Sequence, residues 1–535
     1  MDRARWLSWI LRLVVFTTLA LGASAVHSLP GQARPLPQTH TISLTARAGF
    51  DGYFKEGRWL PVRVLVENEG PDARGRLEVV SGSSLGGPAM LYTRELELPS
   101  QSRRELFVYE ALDNFATTLE VKLLDQGQPL AASVPLSVRQ LSNVDVLYGV
   151  LAASPSAYTI LADVDPVAGQ AFVAQVEAGD LPDASQAWSS LDMLLVSDVD
   201  TGAFTPEQRA ALAEWVGLGG RLLVMGGPGW QKTAAGLNGL LPVQASAARA
   251  ISELEALADF AGSSVPVPAG ETLAAFGALA DGATPLAGPA DAPLISARRR
   301  GYGQVVYFAP DLAWAPLRAW DGAADLLRRV LAAPLDRPSW AAGITNWSSA
   351  QSAVDALPDL QLPSPALICG FLGLYLAVVG PLNYFALRFF KRRELAWLTI
   401  PATVLVFSLA AYLAGYGLAG SQPTLHQLAV VQAWPDSSQA RLDQAVGLFS
   451  PRRAVYELEF APDMLVRPVP GYSQPGASAL RFEEGDQPRL LGVRTEIASV
   501  QSFAAQGAVP APRFEAELTL ALKAATVQLA GTVTN

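Results

Sequence analysis

Residues 365–390, PALICGFLGLYLAVVGPLNYFALRFF, and residues 395–418, LAWLTIPATVLVFSLAAYLAGYGL, decide how this chain is built. The first run is apolar up to Arg388, and the second carries no charged side chain. At 1.5 Å rise per residue, a helix of about 20 residues crosses a hydrocarbon core of ~30 Å. Each run is long enough, so the pair predicts a membrane hairpin with one helix over 365–390 and a second over 395–418. A buried helical hairpin is the soluble alternative, but two consecutive runs so poor in charge rarely occur in a soluble core.

The turn between the runs sets the orientation. Arg388, Lys391, Arg392 and Arg393 crowd one end of the hairpin, while the flanks at 360–364 and 420–424 carry no Lys or Arg. Short loops rich in Lys and Arg stay cytoplasmic, so these four residues determine topology. The expected location is the cell membrane, with large regions before and after the hairpin extracytoplasmic and the lipid bilayer as a partner. Trp397, Tyr375, Tyr384, Tyr412 and Tyr416 are candidate interfacial anchors, or, for the tyrosines, contacts to the partner helix. Gly370, Gly373, Gly380 and Pro381 permit close helix approach or a kink, and Asn383 suits an interhelical hydrogen bond.

Whole-chain composition narrows the chemistry. The 535 residues suggest three or four domains; half are apolar and 16% charged, which suits folded domains with a few membrane segments. Net charge is −10 and the basic residues form no broad patch, which argues against nucleic acid as a partner. Cys369, inside the first apolar run, is the single cysteine, so no disulfide within the chain can form. Histidine occurs only at 27, 40 and 426. No cofactor, metal centre or catalytic residue is expected.

Upstream, residues 1–25 read as a signal peptide or N-terminal anchor: Arg3 and Arg5, an apolar stretch, then Ala23-Ser24-Ala25. Arg12 interrupts the apolar stretch, which keeps the uncleaved anchor open. Residues 29–38 form a Pro-rich linker. From 40 to 140 the pattern is all-β: Leu60, Val62, Val64 and Val66 alternate with outward positions, and turns such as Asn68-Glu69-Gly70 punctuate further short strands. About seven strands in ~100 residues predict an Ig-like β-sandwich. Downstream of the membrane, 423–535 reads as a C-terminal β region. Its last two strands, 514–522 and 527–534, make one bare pair, which raises the expectation that the chain is a C-terminally truncated fragment. The alternative is that they complete a sheet begun at Leu425.

Between 143 and 334 strands alternate with helices, as in a parallel sheet with crossovers. Residues 144–151 and 191–197 are continuous apolar runs, suited to strands covered on both faces. Thr205-Pro206-Glu207-Gln208 forms a capping box with Pro at the first helical position. A Gly-rich stop at 217–220 and a strand at 221–225 follow, then Gly226-Gly227-Pro228-Gly229. Residues 304–309 read as a strand and 322–333 as a helix, while 241–294 reads as a β-containing insertion or peripheral loops. The order Leu191 to Val196, Thr205 to Gln208, Gly219 to Val224 and Gly226-Gly227 resembles the class I glutamine amidotransferase-like fold. The versions in bacterial membrane proteins are the most similar. Gly301 to Asp311, Trp320-Asp321-Gly322 and the hairpin around Val379 to Tyr384 are similar to that group as well. The resemblance implies a flavodoxin/amidotransferase-like α/β domain in an envelope protein. It also implies a nucleophilic Cys on a strand-to-helix elbow and a partner His, and neither has a counterpart in 143–334.

Several motifs invite chemistry. Residues 226–233, GGPGWQKT, approach the phosphate loop G-x-x-x-x-G-K-[ST], but Gln231 stands where the Gly before Lys232 is needed and Pro228 lacks an N–H. A tight turn after a buried strand is the simpler reading. Asp198 and Asp200 lie at the carboxyl end of a predicted strand, where open α/β sheets bind ligands. With Gly226 and Gly227 they are the candidate ligand-binding residues, set against solvated loop acids and a hard-cation site. Asp163 and Asp165 pose the same choice. Arg298-Arg299-Arg300 reads as a solvated loop before a strand, and Asn346-Trp347-Ser348 matches a glycosylation sequon. A Ser hydrolase would need an activated Ser; no G-x-S-x-G occurs, and His40 and His426 lie outside the α/β segment. The chain therefore reads as a multidomain α/β plus all-β protein with transmembrane helices. The expected function is a non-catalytic, membrane-anchored envelope protein that binds or scaffolds an envelope partner or ligand, in a role accessory to envelope assembly or transport. An extracytoplasmic hydrolase or amidotransferase-like enzyme with an atypical site is the alternative.

Overall fold

The computed structural model describes residues 42–81, 90–112, 116–164, 166, 168–332, 342–356, 364–418, 422–434, 437–469, 480–497, 499–513, 515–523 and 526–534. The expected leader and linker, His40 and Asp165 lie outside these residues. The chain is mixed α/β, with several sheets and two helices apolar enough to cross a membrane.

The alternation at Trp59–Asn68 produces the strand it predicts. Val62, Val64 and Val66 are fully buried, while Arg63, Leu65 and Glu67 between them are only half-buried. This strand is the centre of a three-stranded antiparallel sheet, between Ile42–Ala48 and Ser102–Ala111. The facing sheet holds a finding that periodicity did not reveal. Its order is Ala454–Glu459, Arg489–Thr495, Leu480–Glu483, Met90–Leu98, Ala73–Ser81, Thr118–Asp125, Gln128–Pro129, with Val134–Ser137 also on Thr118–Asp125. Strands from before and after the hairpin thus share one sheet, joined where Leu480–Glu483 runs parallel to Met90–Leu98. They share one core as well: Trp59, Val64, Leu77 and Tyr92 cluster with Val466, Phe482, Leu490 and Phe503. The separate β regions expected at 40–140 and 423–535 are in this sense one body. Period-2 patterning marks a strand and its buried face, but not which strand it pairs with.

The α/β segment builds a seven-stranded sheet in the order Ala171–Gln175, Val146–Ala152, Met193–Ser197, Arg221–Met225, Gly303–Phe308, Ile295–Arg300, Ala283–Ala287. The first five strands are mutually parallel; Ile295–Arg300 runs antiparallel to Gly303–Phe308, and Ala283–Ala287 antiparallel to Ile295–Arg300. Both faces are covered, which explains the unbroken apolar runs. Leu194 and Val196 join a core with Leu222, Trp188, Leu212 and Trp215. Met193 and Leu195 point the other way, into a core with Leu223, Tyr158, Leu257, Leu326 and Leu327. The helix Pro206–Gly217 starts at the capping box: Gln208 N donates to Thr205 Oγ1 at 3.2 Å, and Thr205 N to Gln208 Oε1 at 3.0 Å. The insertion contains the antiparallel pair Val243–Ile251 and Thr272–Leu279. Arg298 to Arg300 are not a loop; they finish the strand Ile295–Arg300, which turns back at Gly301 with φ +56°.

The two apolar helices span Pro365–Phe389 and Arg393–Ala414, with nothing buried along either window. The first is capped by Ser364, whose Oγ accepts from Leu367 N at 3.3 Å. It then widens into a π turn at Val378–Leu382 around Pro381, which has no N–H to continue the ladder. Tyr375 and Phe371 lie against Phe407 of the second helix, with ring centroids 5.3 and 5.4 Å apart, so Tyr375 contacts the partner helix. Trp397 is exposed. Just before the hairpin, the helix Trp347–Asp355 seats Ala350 and Val354 on Ala445 of the strand Gln439–Ser450 that follows it. Asn346 of the sequon caps this helix, accepting from Ser349 N at 3.0 Å. The last strands, Glu515–Lys523 and Thr526–Thr534, form a two-stranded sheet.

Candidate functional site

Strand order reverses between Val146–Ala152 and Met193–Ser197, since the chain passes from the first to one neighbour and then crosses to the other side. Crevices at the carboxyl ends of such strands are where open α/β sheets bind ligands. Asp198 leaves Met193–Ser197 there with φ +56°, an uncommon conformation for a residue with a side chain. Its carboxylate meets Lys232 Nζ at 3.0 Å. Asp200 faces its own turn, accepting from Gly202 N at 3.0 Å as a cap. The two carboxylates therefore serve different partners and do not converge. Among the described residues, no group of three or more His, Cys, Asp or Glu side chains could hold a metal ion. Asp163 ends a 3-10 helix, where its carbonyl accepts from Arg328.

Gly226 and Gly227 do lie at this edge, but their backbone donors are occupied. Gly226 N donates to Phe308 O at 2.7 Å and Gly227 N to Ala309 O at 3.0 Å. A Cβ on Gly226 would collide with Ala309 O, one on Gly227 with Asp311 Cβ, and one on Gly229 with the Asp198 carboxylate. The glycines are needed because neighbouring strand ends fill the space that a phosphate would take in a phosphate loop.

Beneath this turn lies a polar network that sequence reasoning missed. Asp311, Ser197 and Tyr158 are buried; Tyr158 donates to Asp311 Oδ1, and Ser197 Oγ to Asp311 Oδ2 at 2.7 Å. Ala313 N adds a third donor to Oδ1 at 2.8 Å. Burial pushes the Asp311 carboxyl above its ordinary value, against the lowering by these hydrogen bonds, and burial likewise raises Tyr158. The network ties the end of Met193–Ser197 to the 3-10 helix Pro155–Asp163 and to the segment that follows Gly303–Phe308. The only trace of it in the sequence was the Pro310-Asp311 step after an apolar run.

A cavity lies at the opposite, amino-terminal edge. A cavity of about 480 Å³ is bounded by the starts of the parallel strands at Val146, Met193 and Arg221. Lys55 and Trp59 from the first β region and Arg441 and Gln506 from beyond the hairpin complete the wall. Lys55 Nζ pairs with Asp192 at 2.6 Å, Trp59 Nε1 donates to Gln506 Oε1 at 2.8 Å, and Arg441 Nε pairs with Asp443 at 3.0 Å. Trp434, from beyond the hairpin, packs against Gly217 and Gly301 nearby; a Cβ on either would strike its ring. None of these residues formed a local motif, because they come from segments hundreds of positions apart.

Residues 41–137 match a family model described as a domain of unknown function (DUF8726). No curated protein matches the chain. Among solved structures, the chain is similar to the Cytoplasmic Protein STM1381 from Salmonella typhimurium LT2 at 16% identity, over 35% of this chain and 98% of that one, with a TM-score of 0.26. It is similar to the Exo-beta-1,4-mannosidase Op5Man5 from Opitutaceae bacterium strain TAV5 at 15% identity, over 35% of this chain and 36% of that one, with a TM-score of 0.24. Scores this low carry no argument about fold or activity.

Proposed function

We propose that this is a membrane-anchored envelope protein whose β and α/β regions lie together outside the cytoplasm and bind or scaffold a partner or ligand without turning it over. The observation that carries this reading is the shared sheet: Leu480–Glu483, beyond the hairpin, is paired to Met90–Leu98, before it. One hydrogen-bonded sheet cannot be divided by a bilayer, and two crossings return a chain to the side it left. With Arg388, Lys391, Arg392 and Arg393 at the turn, that side is the outside. The two-sheet core with strands at 42–141 supports an Ig-like sandwich extended by the later strands. The order of the five parallel strands supports a doubly wound, flavodoxin/amidotransferase-like domain.

The non-catalytic part of the proposal rests on what occupies the carboxyl edge. Gly226 N and Gly227 N are committed to carbonyls, a Cβ on Gly226, Gly227 or Gly229 would clash, and the Asp311 carboxylate is held by its own donors. Accessory roles in envelope assembly or transport suit such a protein. The decisive experiment is labelling in spheroplasts with a membrane-impermeant maleimide, on a Cys369→Ser chain. A Glu394→Cys site is expected to stay unlabelled until permeabilisation, and an exposed Asp125→Cys site to label at once. Labelling of the Glu394→Cys site in sealed spheroplasts would refute the orientation. Glutaminase or esterase turnover by the pure protein, abolished by Asp198→Asn, would refute the non-catalytic reading.

A further inference from the structure

We infer that one end of the shared β body, carrying Arg452, Arg453, Val455, Arg494 and Ile497, docks on the headgroup layer of an anionic lipid bilayer. The inference rests on the membrane-anchored reading above, but not on which side of the membrane the body lies. Strand register defines the end. Thr424–Gln432, the first strand after the hairpin, pairs with Gln439–Ser450 so that Thr424 lies beside Phe449. Gln439–Ser450 pairs in turn with Ser499–Pro510, and Ser450 lies beside Ser499. In the facing sheet, Ala454 lies beside Thr495. The two connections between the sheets, one through Arg452 and Arg453 and one through Glu496 and Ile497, therefore leave from the same end, just past Thr424.

Both membrane helices are tethered to that end. Six peptide links join Leu418, the last residue of the second helix, to Thr424, a reach of about 20 Å at full extension. Ahead of the hairpin, the helix Trp347–Asp355 runs toward the same end. Ile344 N, just before it, donates to Asp443 at 3.1 Å, whereas Val354 abuts Gly447 and Asp355 accepts from Ser502 Oγ. Eight links then lead from Ala356 to Ser364, the cap of the first helix, a reach of about 28 Å. The opposite end of the same strands is occupied, because Trp434, just beyond Gln432, packs against Gly217 and Gly301 of the α/β segment.

The side chains at the tethered end suit a membrane surface. Ile497 is 73% exposed and Val455 65%, more than any other large apolar side chain described outside the hairpin. Arg452, Arg453 and Arg494 are exposed around them, and register places Arg494 beside Val455. Arg453 pairs with Glu496 at 2.7 Å, but Arg452 and Arg494 form no ion pair among the described residues. With Asp355 counted as well, cations exceed acids here by three to two, in a chain of net charge −10. Apolar side chains enter the boundary between headgroups and acyl chains, while arginines keep their guanidinium groups among the phosphates. Anionic headgroups attract such groups only within about a Debye length, ~10 Å at 0.1 M salt, so the short tethers are what make the charge effective.

The test uses the full Cys369→Ser chain in vesicles of phosphatidylcholine, with and without phosphatidylglycerol. An environment-sensitive fluorophore is placed at Ile497→Cys or, as the control, at Asp125→Cys, which is exposed at the other end of the same β body. Lipid carrying a nitroxide on its headgroup is expected to quench the label at 497 at least threefold more than the label at 125, and aqueous iodide to do the reverse. Phosphatidylglycerol should strengthen the nitroxide quenching at 497, and Arg452→Gln with Arg494→Gln should abolish that increase. Equal nitroxide quenching at the two positions, or no response to phosphatidylglycerol, would overturn the inference. Protection of 497 from both quenchers would assign the tip to a second copy of the chain and overturn it too. Flotation after alkaline extraction separates the two readings: a chain that does not float with the vesicles sinks the membrane anchor and this inference together, whereas one that floats with 497 open to iodide sinks this inference alone.

Discussion

Phe482→Ala tests whether the two β regions are one cooperative body. Phe482 is fully buried on Leu480–Glu483, beyond the hairpin, and meets Tyr92 of Met90–Leu98 edge-on at 6.1 Å between ring centroids. Its carbonyl accepts from Thr93 Oγ1 at 3.2 Å, a contact that the substitution leaves in place. Truncating a buried Phe to Ala costs roughly 3–5 kcal/mol, the transfer free energy plus the cavity left behind. If the sheet opens as a unit, about 4 kcal/mol speeds its amide exchange roughly a thousandfold, at about 1.4 kcal/mol per factor of ten. Hydrogen exchange followed by mass spectrometry reads this separately for each segment. The expected result is a loss of protection in Met90–Leu98 and Ala73–Ser81 as large as that in Arg489–Thr495. Phe482→Leu, a milder change of about 1 kcal/mol, should shift all three by roughly fivefold. Faster exchange at 480–495 with Met90–Leu98 unchanged would refute the shared core, and the argument for sidedness with it.

Burial pushes the Glu484 carboxyl up to about 8, although Tyr109 N donates to it at 3.0 Å. The folded state then holds a proton that the unfolded state has released, so stability falls as pH rises from the ordinary value of 4.5 through about 8. Glu484→Gln should flatten that slope in thermal melts taken from pH 5 to pH 8, and a slope unchanged in the variant would refute the assignment. Asp311→Ala should cost about 3 kcal/mol or more, because Tyr158 and Ser197 lose a buried acceptor, and the urea midpoint reads it. Gly217→Ala should destabilise by about 1–3 kcal/mol through overpacking against Trp434, and Trp434→Ala should remove that penalty in a double-mutant cycle.

Local signals in the sequence translated well wherever one segment was sufficient. The Thr205–Gln208 capping box, the alternation at Trp59–Asn68 and the unbroken run before Asp198 each became the element they predict. The apolar runs at 365–390 and 395–418 became helices without a buried window. What could not be read was pairing across distance. Asp311 meets Ser197 across 114 positions, Trp59 meets Gln506 across 447, and no period or motif marks such partners. Asp198 and Asp200 show the converse. Their spacing suggested a joint site, but a backbone at φ +56° turns one toward Lys232 while the other caps its own turn.

Pairing across distance also constrains how the chain can fold. Met90–Leu98 has Ala73–Ser81 on one side and Leu480–Glu483 on the other, so until the later strand arrives one edge of the sheet is open. Residues such as Val79 and Tyr92 are buried in a core completed by Val466, Phe482, Leu490 and Phe503. Both helices of the hairpin lie between the two halves, so the chain has to traverse them before its sandwich can close. An open, apolar sheet edge awaiting a partner almost 400 residues away invites aggregation. The seven-stranded sheet is in a different position, since all its strands lie between Val146 and Phe308 and precede the hairpin. It can form first and offer its Gly217 and Gly301 surface for Trp434 to dock against when the later strands emerge. The cavity with Arg441 and Gln506 in its wall is then assembled last, when the closed arrangement of all three regions is reached.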